Sequence, residues 1–97
     1  MSKAFYMNKD YNRPADILRM LGHPMRLMTV RELIAKGPLN VSELQNLIGV
    51  PQSTMSQQLI KLKAFKMVSC ERKGNEIYYI VNDKKVIEII EFMQEME

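Results

Sequence analysis

Apolar residues recur at the three- to four-residue spacing of an α-helix in five stretches of the chain. The first two stretches follow Pro14 and Pro24, and proline is well suited to the first turn of a helix. Gly37-Pro38 ends the second stretch. We therefore predict five helices, whose apolar positions are Ala15, Ile17, Leu18 and Leu21; Leu27, Val30, Leu33 and Ile34; Leu44, Leu47 and Ile48; Met55, Leu59 and Leu62; and Val86, Ile89, Ile90, Met93 and Met96.

The third and fourth helical stretches are separated only by Gly49, Val50 and Pro51. Two helices joined by a short turn that contains glycine form a helix-turn-helix. Ser42 and Gln45 have the spacing of a capping box, in which each side chain satisfies a backbone N–H of the other residue. The sequence therefore predicts that the first helix of this motif begins near Ser42.

After Phe65 the pattern changes to one typical of β-strands. Met67–Lys73 and Glu76–Val81 flank Gly74-Asn75, which suits a hairpin turn. A further short segment, Leu39–Val41, is compatible with a stub strand. The predicted fold class is therefore mainly α with a small β-hairpin, in the order helix, helix, helix-turn-helix, hairpin, helix.

The length of 97 residues fits a single domain. Residues 1–13 lack a clean period and are predicted to form an N-terminal arm, followed by a domain over residues 14–97, with Asn82 capping the last helix. A single Cys leaves no intramolecular disulfide framework and fits a reducing compartment. No apolar run approaches the roughly 18 residues of a membrane span. We expect a cytoplasmic protein without a membrane partner.

Charge is distributed unevenly along the chain, although the net charge is only +3. Residues 1–75 carry 12 basic and five acidic side chains, a net charge of +7, whereas residues 76–97 carry two basic and six acidic side chains, a net charge of −4. No acidic residue lies between Val50 and Lys66. An acid-free polar stretch flanked by lysines is typical of a surface that binds phosphates. The alternative interpretation is that this stretch is an ordinary solvated helix face whose charges are positive by chance.

The second helix of the helix-turn-helix carries short polar side chains of the kind that read base edges in double-stranded DNA. Glutamine side chains can form two hydrogen bonds with adenine, and the lysines later in this helix are positioned to bind phosphates. The hairpin tip supplies a second basic element, a wing that reaches an adjacent groove. The predicted DNA-binding residues are Gln52, Ser53, Thr54, Ser56 and Gln57, supported by Gln58; Lys61 and Lys63; and Arg72, Lys73 and Asn75.

The chain resembles the ArsR/SmtB family of winged helix-turn-helix repressors over about residues 14–92. The similarity lies in the segments 21–27, 41–44 and 50–59, followed by Leu62, Met67, Val68 and the hairpin through Gly74 and Tyr79. The resemblance implies a homodimer that represses transcription from an imperfect palindrome in a promoter. It also implies that the first and last helices form the dimer interface, for which we predict Ile17, Leu18, Leu21, Ile89, Ile90, Met93 and Met96.

Many members of this family sense metals through cysteines before the third helix, or through Asp and His ligands on the last helix. Here residues 39–42 read Leu-Asn-Val-Ser, and the last helix contains no His. One Cys and one distant His cannot build a tetrahedral site for a soft metal. The chain therefore looks most like the metal-independent branch of the family, and its stretches His23-Pro24-Met25-Arg26 and Pro51-Gln52-Ser53-Thr54 resemble those of PagR-type regulators. We expect neither a metal nor another cofactor.

The sequence also gives separate expectations for three single residues. Cys70 is expected to be a buried strand residue, and His23, beside Pro24, is expected to cap or pack at a helix start. Lys66 stands where the family usually has Gly, so a left-handed backbone there would cost about 1 kcal/mol.

Two alternatives to a DNA-binding repressor remain open at this point. One is a winged-helix module that binds a protein partner and has no affinity for DNA, because a fold does not determine function. The other is a regulator that responds to a small molecule or to oxidation of Cys70. An enzyme is not expected, since the sequence has no paired acid and base, no phosphate loop and no nucleophile with a His partner.

Overall fold

A computed structural model describes residues 10–95, which form five helices and one three-stranded antiparallel sheet. This arrangement confirms the predicted fold class and element order. None of the helices in this range is long and apolar enough to cross a membrane. The elements are α1 (Asn12–Leu21), α2 (Pro24–Lys36), β1 (Leu39–Asn40), α3 (Val41–Ile48), α4 (Gln52–Ala64), β2 (Ser69–Lys73), β3 (Glu76–Ile80) and α5 (Lys84–Gln94).

The predicted hairpin is extended by the predicted stub strand. The strand order is β1-β3-β2, and Leu39 of β1 pairs with Tyr79 of β3. The hairpin turn is formed by Gly74 and Asn75, and Gly74 has a φ of 62°, which suits glycine at the first central position of a tight turn. The stub strand anchors the wing to the start of the helix-turn-helix.

A single apolar cluster receives side chains from all five helices and from the segments that flank the hairpin. Burial of this cluster is the main force that fixes α4 against the rest of the domain. Its members are Ile17, Met20, Leu21, Val30, Leu33, Leu39, Leu44, Met55, Leu59, Leu62, Met67, Val68, Val81, Val86 and Ile90. Leu47, predicted on the apolar side of α3, is 43% exposed because Leu44 already fills the position facing the core.

The capping box of α3 lies two residues before the predicted one. The N-cap is Asn40, whose side chain accepts from the Glu43 N–H at 2.8 Å, while the Glu43 carboxylate accepts from the Asn40 N–H at 3.0 Å. Pairing with β3 keeps Asn40 extended, so the helix begins directly after the strand. Ser42, predicted as the cap, instead lies inside the first turn.

The starts of the first and last helices also differ slightly from the prediction. Helix α1 begins at Asn12, two residues inside the predicted arm, and Pro14 lies in its first turn. The N-cap of α5 is Asp83 rather than Asn82, and its carboxylate accepts from the Lys85 N–H at 2.9 Å. The rest of the predicted arm, residues 1–9, lies outside the described residues.

Candidate nucleic-acid interface

Helix α4 turns one side to the core and the opposite side to solvent. Met55, Leu59 and Leu62 are buried, which places Ser53 and Gln57 on the outward side. Most of the polar side chains predicted to read bases are available to a ligand. Gln52, Ser53, Gln57, Lys61 and Lys63 are exposed, whereas Thr54 and Ser56 are half-buried at the edges of this surface.

Gln58 is not part of this outward surface. Its side-chain oxygen accepts from the Arg26 guanidinium at 3.2 Å, and Arg26 also donates to the Met20 carbonyl at 2.8 Å. Arg26 therefore links the end of α1 to the middle of α4. The prediction that Gln58 supports base contacts is corrected, because this bond turns it toward α2.

The turn before α4 is short because Gly49 takes a left-handed conformation. Its φ is 81° and its N–H donates to the Gln45 carbonyl at 2.8 Å, which ends α3. Pro51 is extended and lies at the N-cap of α4. This turn sets the angle between α3 and α4 and leaves the N-terminus of α4 open toward solvent.

The other end of α4 closes in a Schellman motif that has lysine where glycine is preferred. The Met67 N–H donates to the Leu62 carbonyl at 2.8 Å, and the Lys66 N–H donates to the Lys63 carbonyl at 2.9 Å. Lys66 has a φ of 57° and is the only non-glycine residue among residues 10–95 with a positive φ. Lys66 therefore bears the strain that a left-handed backbone imposes on residues with a Cβ atom.

The substitution Lys66→Gly should raise the free energy of unfolding by about 1 kcal/mol, because glycine adopts this conformation without Cβ strain. Urea denaturation followed by circular dichroism measures the change. Lys66→Ala is the matched control, since it removes the same charge but retains the strain. An equal gain from both variants would contradict the explanation by backbone strain.

Arg13 of α1 holds three elements together at the end of α4. Its guanidinium donates to the Phe65 carbonyl, to the Lys66 carbonyl at 2.9 Å and to the Asp83 carboxylate at 2.9 Å. The hydrogen bond from Arg13 holds the pKa of Asp83 below its ordinary value. Arg19 adds a second contact, with its guanidinium 5.2 Å from the centre of the Phe65 ring.

Neither Arg13 nor Arg26 is among the predicted site residues. Their hydrogen bonds to α4 and its C-cap span 32 to 53 residues of sequence. No local spacing or motif marks such bonds, because they depend on the packing of α1 and α2 against α4. A basic residue near the start of a helix is the only signal in the sequence, and it is a weak one.

The two basic side chains of the wing lie on opposite faces of the hairpin. Arg72 pairs with Ile77 and shares a face with Cys70, whereas Lys73 pairs with Glu76 on the other face. The Lys73 ammonium also lies 5.7 Å from the centre of the Tyr78 ring. Glu76 and the Tyr78 ring both attract the charge of Lys73, whereas the cross-strand partner of Arg72 is the uncharged Ile77. Asn75 is exposed at the tip of the hairpin.

Cys70 lies on β2, on the side of the wing that faces the end of α4. It is half-buried rather than buried as predicted, because it lines an open cleft with Lys63, Lys66 and Asn82. A hydrogen bond with Cys70 raises the pKa of Lys63, which lies near the end of α4. His23 caps α2 through its Nδ1, which accepts from the Met25 N–H at 3.2 Å, as anticipated.

The outer surface of α1 and α5 carries exposed apolar side chains among charged ones, and fewer of the predicted interface residues contribute to it than expected. Ile17, Leu21 and Ile90 are buried in the core of the protomer itself, so they cannot offer surface to a partner. Leu18 is 62% exposed, and Ile89 and Met93 are half-buried. Phe92, which is not among the predicted residues, is 65% exposed. Met96 lies outside the described residues.

Within residues 10–95, no three side chains of His, Cys, Asp or Glu converge in a way that would hold a metal ion. The cysteine-free sequence at residues 39–42 forms β1 and the start of α3, where Asn40 and Glu43 cap the helix.

The fold and this surface define a winged helix-turn-helix DNA-binding protein. A family described as a helix-turn-helix domain matches residues 21–68. The transcriptional repressor PagR of Bacillus anthracis is 40% identical over 83 residues, which cover 86% of this chain and 83% of PagR. The chain belongs to the ArsR/SmtB family of winged helix-turn-helix transcriptional regulators.

Solved structures agree with this assignment. The crystal structure of PagR matches with a TM-score of 0.81, covering 91% of this chain and 98% of PagR. The repressor BigR from Xylella fastidiosa is 33% identical, with a TM-score of 0.84, covering 99% of this chain and 96% of BigR. A homodimeric winged helix-turn-helix DNA-binding domain from Mycobacterium bovis, described as a possible ArsR-family regulator, is 25% identical, with a TM-score of 0.75 and coverages of 88% and 78%.

Proposed function

We propose that the protein is a homodimeric repressor of transcription that binds an imperfect palindrome in a promoter. The observation that carries this proposal is the outward side of α4, where Ser53 and Gln57 project with no acidic residue on the helix. Arg72 extends the basic surface on the wing. Named repressors among the relatives, PagR and BigR, support repression as the outcome of binding.

In this proposal α4 enters the major groove and presents Gln52, Ser53 and Gln57 to base edges, with Thr54 and Ser56 beside them. Lys61 and Lys63 bind phosphates and fix the register, and the wing residues Arg72, Lys73 and Asn75 contact the adjacent backbone or groove. Phosphate contacts supply affinity and the base contacts supply specificity.

The dimer is formed through α1 and α5, whose exposed Leu18 and Phe92 are covered by the same surface of the second copy. The homodimeric domain from Mycobacterium bovis supports this assembly. With one α4 from each protomer in successive major grooves, the half-sites lie roughly 34–36 Å apart. The protein needs neither a metal nor a catalytic group for this function, and it acts in the cytoplasm, where promoter DNA is available.

Operator affinity should fall steeply as salt concentration rises, because binding to phosphates releases counterions. Replacing Lys61 or Arg72 by Gln should reduce the slope of log K against log salt by about 1 for each phosphate that the variant no longer binds. Fluorescence anisotropy over a salt series measures the slope. Lys84→Gln, which removes the same charge from the start of α5, is the control and should leave the slope unchanged.

The outcome that would contradict the proposal is a stable dimer that binds no random-sequence duplex at low salt. Gel filtration of the same sample establishes the oligomeric state before DNA is added. A dimer without DNA affinity would instead favour a module that binds a protein partner.

A further inference from the structure

Ile60 is an exposed isoleucine on the helix that carries the DNA-binding surface. At 68% exposure it is the most exposed large apolar side chain of the described residues. Single apolar residues on a surface are common and need no special explanation. The position of Ile60 on α4 is therefore what gives its exposure significance.

The surroundings of α4 show that Ile60 faces away from the protein. Met55, Leu59 and Leu62 bury the inner side of the helix, and Arg26 occupies one flank through its bond to Gln58. The other flank lies toward the wing, where Lys63 meets Cys70. Ile60 follows Gln57 by three residues and Ser53 by seven, so the three side chains form one outward row.

Ile60 is also separate from the apolar surface assigned to dimerisation. The other two large apolar side chains with more than 60% exposure, Leu18 and Phe92, lie on α1 and α5. The row on α4 is otherwise polar, and it continues only to Ala64. A second protomer bound through α1 and α5 therefore gives no reason for an isoleucine at this position.

Thymine is the one base that presents a methyl group in the major groove, and small apolar side chains contact it. We propose that Ile60 contacts the C5 methyl of a thymine and so determines specificity at one base pair of each half-site. The three-residue rise from Gln57 is about 4.5 Å, against a base-pair rise of about 3.4 Å. The thymine therefore lies one or two base pairs from the base read by Gln57.

This inference rests on the proposed DNA binding, and deoxyuridine provides its test. Uracil pairs like thymine and keeps the O4 acceptor, so replacing thymine by uracil removes the methyl group alone. Each thymine of an operator selected from random DNA is replaced in turn, in both half-sites, and affinity is measured for wild type and for Ile60→Ala. Because Ile60 is exposed, the variant should unfold at the wild-type urea concentration.

At one thymine position, uracil should weaken wild-type binding about fourfold per half-site, or about 15-fold for both half-sites, as expected for a buried methyl group. The same replacement should cost Ile60→Ala less than twofold. Ile60→Val keeps the branched side chain and should retain most of the uracil penalty. Leu47→Ala, which truncates an exposed apolar residue of α3, should show the full wild-type penalty.

Equal uracil penalties for wild type and Ile60→Ala at every thymine would overturn the assignment of Ile60, while leaving sequence-specific binding in place. Failure of the wild-type protein to enrich any DNA sequence would contradict the proposed function itself. The two failures are distinguished because the first is measured on an operator that the protein binds.

Discussion

Replacing Gln57 by Ala should weaken operator binding by about 1–3 kcal/mol for each base that the side chain no longer reads, and therefore by about 2–6 kcal/mol for a homodimer with two such bases. Gln57 is exposed on the outward side of α4, and its side chain has the donor and acceptor needed for a bidentate contact with adenine. Anisotropy with operator duplex and with random-sequence duplex measures the effect on specific and non-specific binding separately.

The comparison of the two duplexes is the internal control for Gln57→Ala. Affinity for the random duplex and its salt slope should remain unchanged, because phosphate contacts do not involve this side chain. Ser53→Ala should act in the same direction, and Ser56→Ala should cost less because Ser56 is half-buried. A folded Gln57→Ala protein that still distinguishes operator from random DNA as well as wild type would show that α4 does not read bases through Gln57.

Replacing Arg13 by Ala should lower the free energy of unfolding by about 1.5–3 kcal/mol, the range for a single hydrogen bond that involves a charged group, because water compensates part of the loss at a side chain that is 35% exposed. The change removes the donor to the Phe65 and Lys66 carbonyls and to the Asp83 carboxylate. It therefore loosens the C-terminus of α4 from α1 and α5. Urea denaturation gives the change in stability, and operator binding should weaken because the two α4 helices are less firmly oriented.

Asp83→Asn is the matched partner variant, since Asn remains a good N-cap but cannot form the ion pair. Arg13→Ala and Asp83→Asn should not be additive, with a coupling energy of about 0.5–3 kcal/mol in a double-mutant cycle. Arg13→Lys keeps the charge without the planar fork, so it should restore the stability only in part. Additive effects would contradict direct coupling of Arg13 to Asp83.

The ion pair between Arg13 and Asp83 also contributes to the dependence of the free energy of unfolding on pH. The pKa of Asp83 is lower in the folded protein than in the unfolded chain, so its ionised form stabilises the fold above the unfolded pKa. This contribution disappears as pH falls through the folded pKa. Arg13→Ala should therefore show a smaller decrease in stability than wild type over this acidic range.

Local patterns in the sequence are sufficient to predict the elements of the fold. The glycine-containing turn at Gly49, the hairpin turn at Gly74-Asn75 and the apolar spacing of α4 each follow from short-range rules. The outward positions of Ser53 and Gln57 follow from the same spacing, because burial of Met55, Leu59 and Leu62 determines the opposite side.

Features that depend on tertiary contacts are predicted less well. Asn40 with Glu43 and Ser42 with Gln45 have the same capping spacing, and only the pairing of β1 with β3 selects the first. An apolar stripe likewise does not show whether Ile90 faces its own core or a second protomer. The links from Arg13 to Phe65, Lys66 and Asp83 connect residues distant in sequence and have no local signature.

Selection of bound sequences from a random pool of duplex DNA is the most direct test of the central claim, that α4 of a homodimer reads an operator. The account predicts enrichment of a symmetric site whose two half-sites lie about one helical turn apart, roughly 34–36 Å. Disappearance of the enriched sequence with Gln57→Ala would assign the reading to α4. Absence of enrichment by a folded, dimeric wild-type protein, or enrichment of a single site without symmetry, would contradict the account.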